Sequence, residues 1–471
     1  MNPTTHLKTL EEAFSVGENV LKSTKSNKLP IGLAPWHIQQ GGLPWEMSIP
    51  ALENTLNYVM NHLHHPCYML CISPTPTGIK GKQLFKLETG KTAPVVLDAI
   101  ANAKTRNTAS KVRRDEIVKD IQTGRNAYRI MQCIVKPFTQ DFSSEFEEWT
   151  KTWPLPPGVY LLNLTDAILL RKDSREPFPN AYAGTGSIPK VGIKLSPMLP
   201  ILSLSAHEDY YDIPIPNYDD LFYTLPLSDS NKSHKDYAVL HDAVAQFKTR
   251  WSDKVIDKAV FRGSSTGCGV TEETNARLRL MSMKHDKVDW LDVGFTAGKS
   301  HDKFDPVHGF ALSRRIPKDE LVARLPMAKQ SEYKYLIHID GNVLAYRLLF
   351  SLLTGSLLLR VKSPYQSFVD TTGLLKPGVH YLPIESDLSN LQETVEWCRK
   401  HDKESALMAK RGRELAEEIL TPRFLNIYYR NIFQFYIKNS SKKSRKGGSR
   451  RKKKPFHIRM TRSTRKRRLS S

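Results

Sequence analysis

In the segment KYLIHIDGNVLAYRLLFSLLTGSLLLRV, Arg347 interrupts an apolar run shortly after the break Asp340-Gly341-Asn342. If IDGN closes a strand and a helix begins at Val343, the first-turn N–H groups face the strand's carboxyl end and attract phosphate. Helical side chains lean toward the N-terminus, so Arg347, one turn in, would lay its guanidinium beside an anion held there. Its planar fork matches two phosphate oxygens. The same pattern equally describes a surface arginine on an amphipathic helix.

A second candidate is VFRGSSTG. Arg262 ends a strand, Gly263 permits close backbone approach, and Ser264 and its neighbours Ser265 and Thr266 offer hydroxyls and N–H groups. This suits a phosphate cradle. No Gly-Lys-Ser/Thr follows, so it is not a P-loop, and a plain turn fits the pattern too. The third is LLNLTDAILL, where Asp166 follows an apolar strand. A carboxylate there suits a general base, or merely turns the chain. HEDYYDIPIP adds His207 and Asp212 on the acceptor side of a site. HLHHPCYMLC, from His62 to Cys71, has metal-like residues but no partner pair elsewhere, and no metal is expected.

These candidates need strands that end where they stand. CYMLCIS, GVYLLNL and LPILSLS read as buried strands, followed by a helical pattern over Asp236–Lys254. AVFR, VDWLDV, KYLIHI, SLLLRV and VHYLPI read as later strands. EETNARLRLMSM and VLAYRLLFSLL read as helices between them. SNLQETVEWCRK reads as a helix opened by a Ser389–Gln392 capping box, with Leu391, Val395 and Cys398 on its apolar face. Strands alternating with helices imply a mostly parallel sheet. The expected division is a flexible arm over 1–30, one α/β unit over 31–250, a second over 251–437 with closing helices, and a basic tail over 438–471.

Of the formal charge of +22, +16 lies in residues 438–471, which contain no Asp or Glu. Such a segment buries too little apolar area to fold alone. It reads as a solvated or localising tail, including nuclear import, or as a weak contact with nucleic acid or acidic surfaces. With Phe456 as its single aromatic, base stacking has little to work with. Five cysteines, an odd number, do not form a secreted disulfide framework. The N-terminal text lacks a signal-peptide pattern, and the longest apolar run is too short for a transmembrane segment. A protein of the cytoplasm is expected (host cytoplasm or virus factory, if the source is viral).

Taken in order, NLTD, YYDIPIP, FRGSSTG, YKYLIHIDGNVLAYRLLFSLLTGSLLL, SPYQSFV, KPGVHYLPIESDLSNLQETVEW and AKRGRELAEEIL resemble glycosyltransferase family 90, the Rumi-like protein O-glucosyltransferases and capsule-associated sugar transferases. The resemblance implies a GT-B-like fold of two Rossmann-like domains with the active cleft between them. It also implies an inverting, metal-independent transfer of glucose or xylose from a UDP-sugar to a hydroxyl of a protein or glycan. Asp166 maps to the general base. Arg262 and Arg347 map to the diphosphate, within a donor-side set of Arg262, Gly263, Ser264, Asp340, Gly341, Asn342, Arg347 and Gln366. Two departures stand out: Thr165 where the family often has arginine, and Gln366 where an acidic residue is usual. The alternative is a catalytically weak scaffold of the same fold whose tail binds nucleic acid or an acidic assembly.

Overall fold

The computed structural model describes residues 67–75, 78–88, 91–94, 158–170, 201–210, 212–224, 233–267, 269–286, 288–298, 302–305, 307, 309–312, 315–425, 428–429 and 432. The expected arm, His62 to His65 and the basic tail lie outside the described residues.

The first sheet contains β1 (Cys67–Thr75), β2 (Gly78–Glu88), β3 (Lys91–Pro94), β4 (Gly158–Asn163), β5 (Ile201–Ser203) and β6 (Ile213–Pro214). Its order is β3-β2-β1-β4-β5-β6. This sheet is mixed in direction. β4, β5 and β6 pair in parallel, but β1 pairs antiparallel with both β2 and β4, and β2 with β3. The links over 76–77 and 89–90 are too short for a crossover helix, so the strands they join must turn back on one another. Helices α1 (Tyr218–Thr224) and α2 (Ser233–Ala245) follow.

The second sheet is parallel throughout. It takes β7 (Ile256–Ser264), then, after α3 (Ala276–Ser282), β8 (Leu291–Ala297). The polar stretch after β8 carries a two-stranded hairpin, β9 (Asp302–Asp305) with β10 (Gly309–Leu312), and the short α4 (Met327–Gln330). β11 (Tyr333–His338), α5 (Leu348–Leu353), β12 (Leu357–Val361), α6 (Phe368–Thr371) and β13 (Leu382–Ile384) complete the sheet, in the order β13-β12-β11-β7-β8. Helices α7 (Leu391–Lys400) and α8 (Asp402–Ile419) close this part of the chain.

A parallel strand covered on both faces should be apolar nearly throughout, and every residue of β12 is buried. One face of the sheet packs Phe261, Leu357 and Leu359 against Leu391, Val395 and Trp397 of α7. The other packs Val260, Leu336 and Leu358 into a core shared with Leu162, Leu202 and Ile213 of the first sheet. Phe424, Leu425 and Tyr428 join that shared core. The Tyr428 hydroxyl donates to the Pro214 carbonyl at 2.6 Å, which ties the chain beyond α8 to the first sheet.

Three helix starts differ from expectation. α5 begins at Leu348, not Val343, and Arg347 stands at its N-cap. Side chains engage the backbone before it. Asp340 Oδ1 accepts from Ala345 N at 2.8 Å, and Asn217 Nδ2 donates to the Tyr346 carbonyl at 3.0 Å. Those groups are thereby taken from an i→i−4 ladder. α3 starts at Ala276 because Asn275 caps it, accepting from the N–H groups of Arg277 and Leu278. α7 is preceded by Asn390 rather than opened by a Ser389–Gln392 box; the Ser389 hydroxyl bonds Asp387 instead. The buried face of Leu391, Val395 and Cys398 is as the spacing predicts.

Candidate active site

β7 and β11 are neighbours, yet the chain leaves β7 toward β8 and leaves β11 toward β12, on opposite sides. Open α/β sheets bind ligands outside the carboxyl ends of their strands at such a reversal. A cleft of about 420 Å³ lies there, with Asn275, Arg277, Asp340, Gly341, Ser363 and Tyr365 among its lining residues.

Arg277 is the side chain that sequence reasoning missed. It is 7% exposed. Its Nη1 donates to the Ser264 carbonyl at 3.0 Å and the Thr266 hydroxyl at 2.6 Å, and its Nη2 to the Ile339 carbonyl at 2.9 Å. All three acceptors are neutral, and its buried Nε has no partner. Burial, then the neighbouring Arg347, lowers its pKa to about 10. Arg347 donates through Nη1 to the Arg262 carbonyl at 2.6 Å. Both guanidiniums lie against the Phe261 ring, with Cζ at 5.5 Å from its centroid for Arg277 and 5.3 Å for Arg347. An aromatic face favours cations at that range.

Gly263 makes room for this aromatic ring. A Cβ there would meet Phe261 Cζ at 2.7 Å, so the glycine lets the ring fold back over the strand. Gly341 is similarly crowded: a Cβ would lie 3.0 Å from Thr266 Oγ1 and 3.3 Å from Arg277 Nη2. Ser264 contributes its carbonyl to Arg277, while its hydroxyl lies 3.2 Å from that of Thr266.

Arg262, expected at the diphosphate, is held by partners inside the fold. Successive side chains on a strand point to opposite faces, so with Phe261 turned toward Arg277 and Arg347, Arg262 turns away from them. Its Nη2 pairs with Asp292 Oδ1 at 2.6 Å and its Nη1 donates to the Asp292 carbonyl at 2.9 Å. The Tyr333 hydroxyl donates to the other Asp292 oxygen. The second arginine of the crevice is Arg277.

Asp166 sits in the turn after β4 and faces the second sheet. The Tyr346 hydroxyl is 3.4 Å from its Oδ1. Burial pushes its carboxyl up to about 6, partly offset by Tyr346, Arg277 and the Asn342 side chain. Asn342 Oδ1 accepts from Gly267 N at 3.2 Å, joining the loops after β7 and β11. Asp340, in the cleft lining, has its pKa raised chiefly by burial. Arg277 and Asp340 line the cleft, and Asp166, outside that lining, interacts with both of them and with Tyr346 and Asn342, while Arg347 lies against the same aromatic ring as Arg277.

The remaining candidates divide. Gln366 exchanges two backbone hydrogen bonds with Ala206, at 2.8 and 2.9 Å. The cleft is lined by its neighbour Tyr365. The His207 ring stands 5.7 Å from that of Tyr365. Asp212 is fully buried, with both oxygens bonded to backbone N–H groups of the segment after β4, so an acceptor cannot reach it. Among the described residues, no cluster of three or more His, Cys, Asp or Glu has metal-binding geometry. One signal for Arg277 was present: an asparagine suited to capping a helix, with an arginine two residues on.

The family model for glycosyl transferase family 90 matches residues 187–468. Protein 035R of Invertebrate iridescent virus 3 is 36% identical over 252 residues, covering 53% of this chain and 22% of that protein. Human protein O-glucosyltransferase 3 is 30% identical over 290 residues, covering 60% of this chain and 50% of that protein. The chain thus spans half or less of the length of these curated relatives. A solved structure of Anabaena HepE in complex with UDP-glucose overlaps 41% of this chain and 55% of its own at 12% identity, with a TM-score of 0.26, too loose an overlap to argue from. With more than half of its residues inside the family match, the chain belongs to glycosyl transferase family 90.

Proposed function

We propose that the chain transfers glucose or xylose from a UDP-sugar to a hydroxyl of a protein or glycan, with inversion and without a metal. The observation that carries this reading is Arg277. It is a buried guanidinium bonded only to neutral oxygens, in the crevice at the strand reversal, opposite a carboxylate with a raised pKa. An anion is the ligand such a position lacks. The relatives named protein O-glucosyltransferases favour glucose. Asp166 lies upstream of the family match, so its role rests on geometry.

In this mechanism the diphosphate lies in the crevice, where Arg277 and Arg347 stabilise the negative charge that grows as the leaving group departs. Preorganised charge in a water-poor site is worth more than the same charge in solvent. The acceptor hydroxyl gives its proton to Asp166 as its oxygen bonds the anomeric carbon. The bond from that carbon to the phosphate oxygen breaks, and its electron pair leaves with the diphosphate. One displacement from the opposite face inverts the centre. A carboxylate with a pKa near 6 is ionised at neutral pH and is a stronger base than an ordinary one.

The division into units over 31–250 and 251–437, with the cleft between them in the GT-B manner, belongs to the same proposal. So does a cytoplasmic setting, which suits the buried free thiols of Cys67 and Cys398. Among the described residues, no helix is long and apolar enough to cross a membrane.

The test is Asp166→Asn, assayed for transfer from UDP-glucose and UDP-xylose and for UDP binding by calorimetry. Loss of a general base should lower kcat by about 10²–10⁴-fold, with UDP affinity nearly unchanged. Transfer at the wild-type rate would remove Asp166 from the mechanism.

A further inference from the structure

The turn that presents Asp166 is tied at both ends by buried polar groups that the proposed reaction does not use. At its entry, Asn163 Oδ1 accepts from Thr165 N at 3.0 Å and from Thr165 Oγ1 at 2.6 Å. Asn163 Nδ2 donates to the Ala167 carbonyl at 2.6 Å. One side chain thus closes a loop of backbone with Asp166 inside it. At the exit, Asp212 Oδ1 accepts from Leu169 N at 3.0 Å and Oδ2 from Leu170 N at 2.8 Å.

The two ties are one network. The Ser203 hydroxyl donates to Asp212 Oδ1 at 2.5 Å and accepts from Asn163 Nδ2 at 3.2 Å. Asn163, Ser203 and Asp212 are each 0% exposed. Asn163 ends β4, Ser203 ends β5 and Asp212 immediately precedes β6, so the network crosses three adjacent parallel strands at their edge. Burying a carboxylate costs free energy even when it is well bonded, and apolar packing is often the cheaper choice. What Asp212 supplies that an apolar residue cannot is two acceptors aimed at consecutive N–H groups of the turn.

We propose that Asp212, acting through Ser203 and Asn163, is a positioning residue that fixes the 163–170 turn and aims Asp166 at Tyr346 and Arg277. This rests on Asp166 being the base. Asp212 touches no substrate and moves no proton. Its effect falls on kcat, because donor binding belongs to the other sheet.

The experiment compares Asp212→Asn and Ser203→Ala with wild type in the full chain. It measures kcat, UDP affinity, thermal unfolding, and amide exchange at Leu169 and Leu170. The side-chain amide introduced by Asp212→Asn can accept at one oxygen only, so its NH₂ faces a backbone N–H. A misaimed catalytic group costs up to about 10²-fold, and Asp212→Asn should lower kcat in that range with UDP affinity within about twofold. Exchange at Leu169 and Leu170 should quicken. Ser203→Ala leaves both Asp212 oxygens in place, should lower kcat less, and serves if Asp212→Asn does not fold. Wild-type kcat in a folded Asp212→Asn or Ser203→Ala protein overturns the proposal. So does a loss of kcat and UDP affinity in step with the unfolded fraction. Asp166→Asn separates the two readings: if it stays active the base assignment fails, while the exchange rates still report whether Asp212 holds the turn.

Discussion

On one face of β7, Arg262 meets Asp292 in a direct ion pair. On the other, Arg277 and Arg347 share the Phe261 ring, and their hydrogen bonds go to carbonyls and a hydroxyl. The side chain type is the same; the difference lies in what neutralises it. Arg262 has its counter-ion inside the fold, and its work is to join β7 to β8. Burial lowers the pKa of both Arg277 and Arg347, so their charge is held at a cost that an incoming anion would offset. The turn bearing Asp166 adds a contrast, since its supporting groups are paired with one another. The proposed binding region thus has guanidiniums that hydrogen-bond only neutral acceptors, and the proposed positioning region has polar groups bonded to one another.

The sharpest way to break this contrast is to remove each arginine in turn. Arg277→Ala should weaken UDP binding by about 10–100-fold, since charge-assisted contacts are worth roughly 1.5–3 kcal/mol. Calorimetry checks it, and unchanged affinity would return Arg277 to a structural role. Arg262→Met should act in the opposite sense, leaving UDP affinity nearly intact. It strips Asp292 of its ion pair, so thermal or denaturant unfolding should show roughly 1.5–3 kcal/mol of lost stability. The smallest effect is expected from Tyr346→Phe. The Tyr346 hydroxyl favours the charged form of Asp166, so its loss raises that pKa. The acid limb of activity should then move to higher pH by about half a unit.

The parallel sheet was legible because KYLIHI and SLLLRV are apolar on both faces, which only a covered strand tolerates. The buried face of α7 was legible from the spacing of Leu391, Val395 and Cys398. The antiparallel half of the first sheet was missed because β2, GIKGKQLFKLE, and β3, KTAP, are too polar to read as apolar runs. The position of Asp166 in the turn just after β4 was legible, since a carboxylate after a strand lands at the sheet edge. The ion pair of Arg262 with Asp292 was not legible, because β7 runs on through Ser264 and residue parity, not proximity to the glycine, decides which way a side chain points. Arg277 was missed because an arginine near a helix start looks like any solvated charge until its acceptors are seen. The start of α5 was misjudged because Asp340 and Asn217 bond its approach, and such side-chain competition leaves no period in the sequence.

The proposed mechanism needs Asp166, with its pKa raised by burial and the Arg277 guanidinium nearby, to act as the base. The pH dependence of kcat/KM tests it most directly, because it reports ionisations of the free enzyme and free substrates. A base works only when deprotonated, so activity should rise with pH through a midpoint at about 6 and be lost below it. Asp166→Asn should remove that limb along with most of the rate. A wild-type profile flat between about pH 5 and 8, or a limb that survives in Asp166→Asn, would contradict the account.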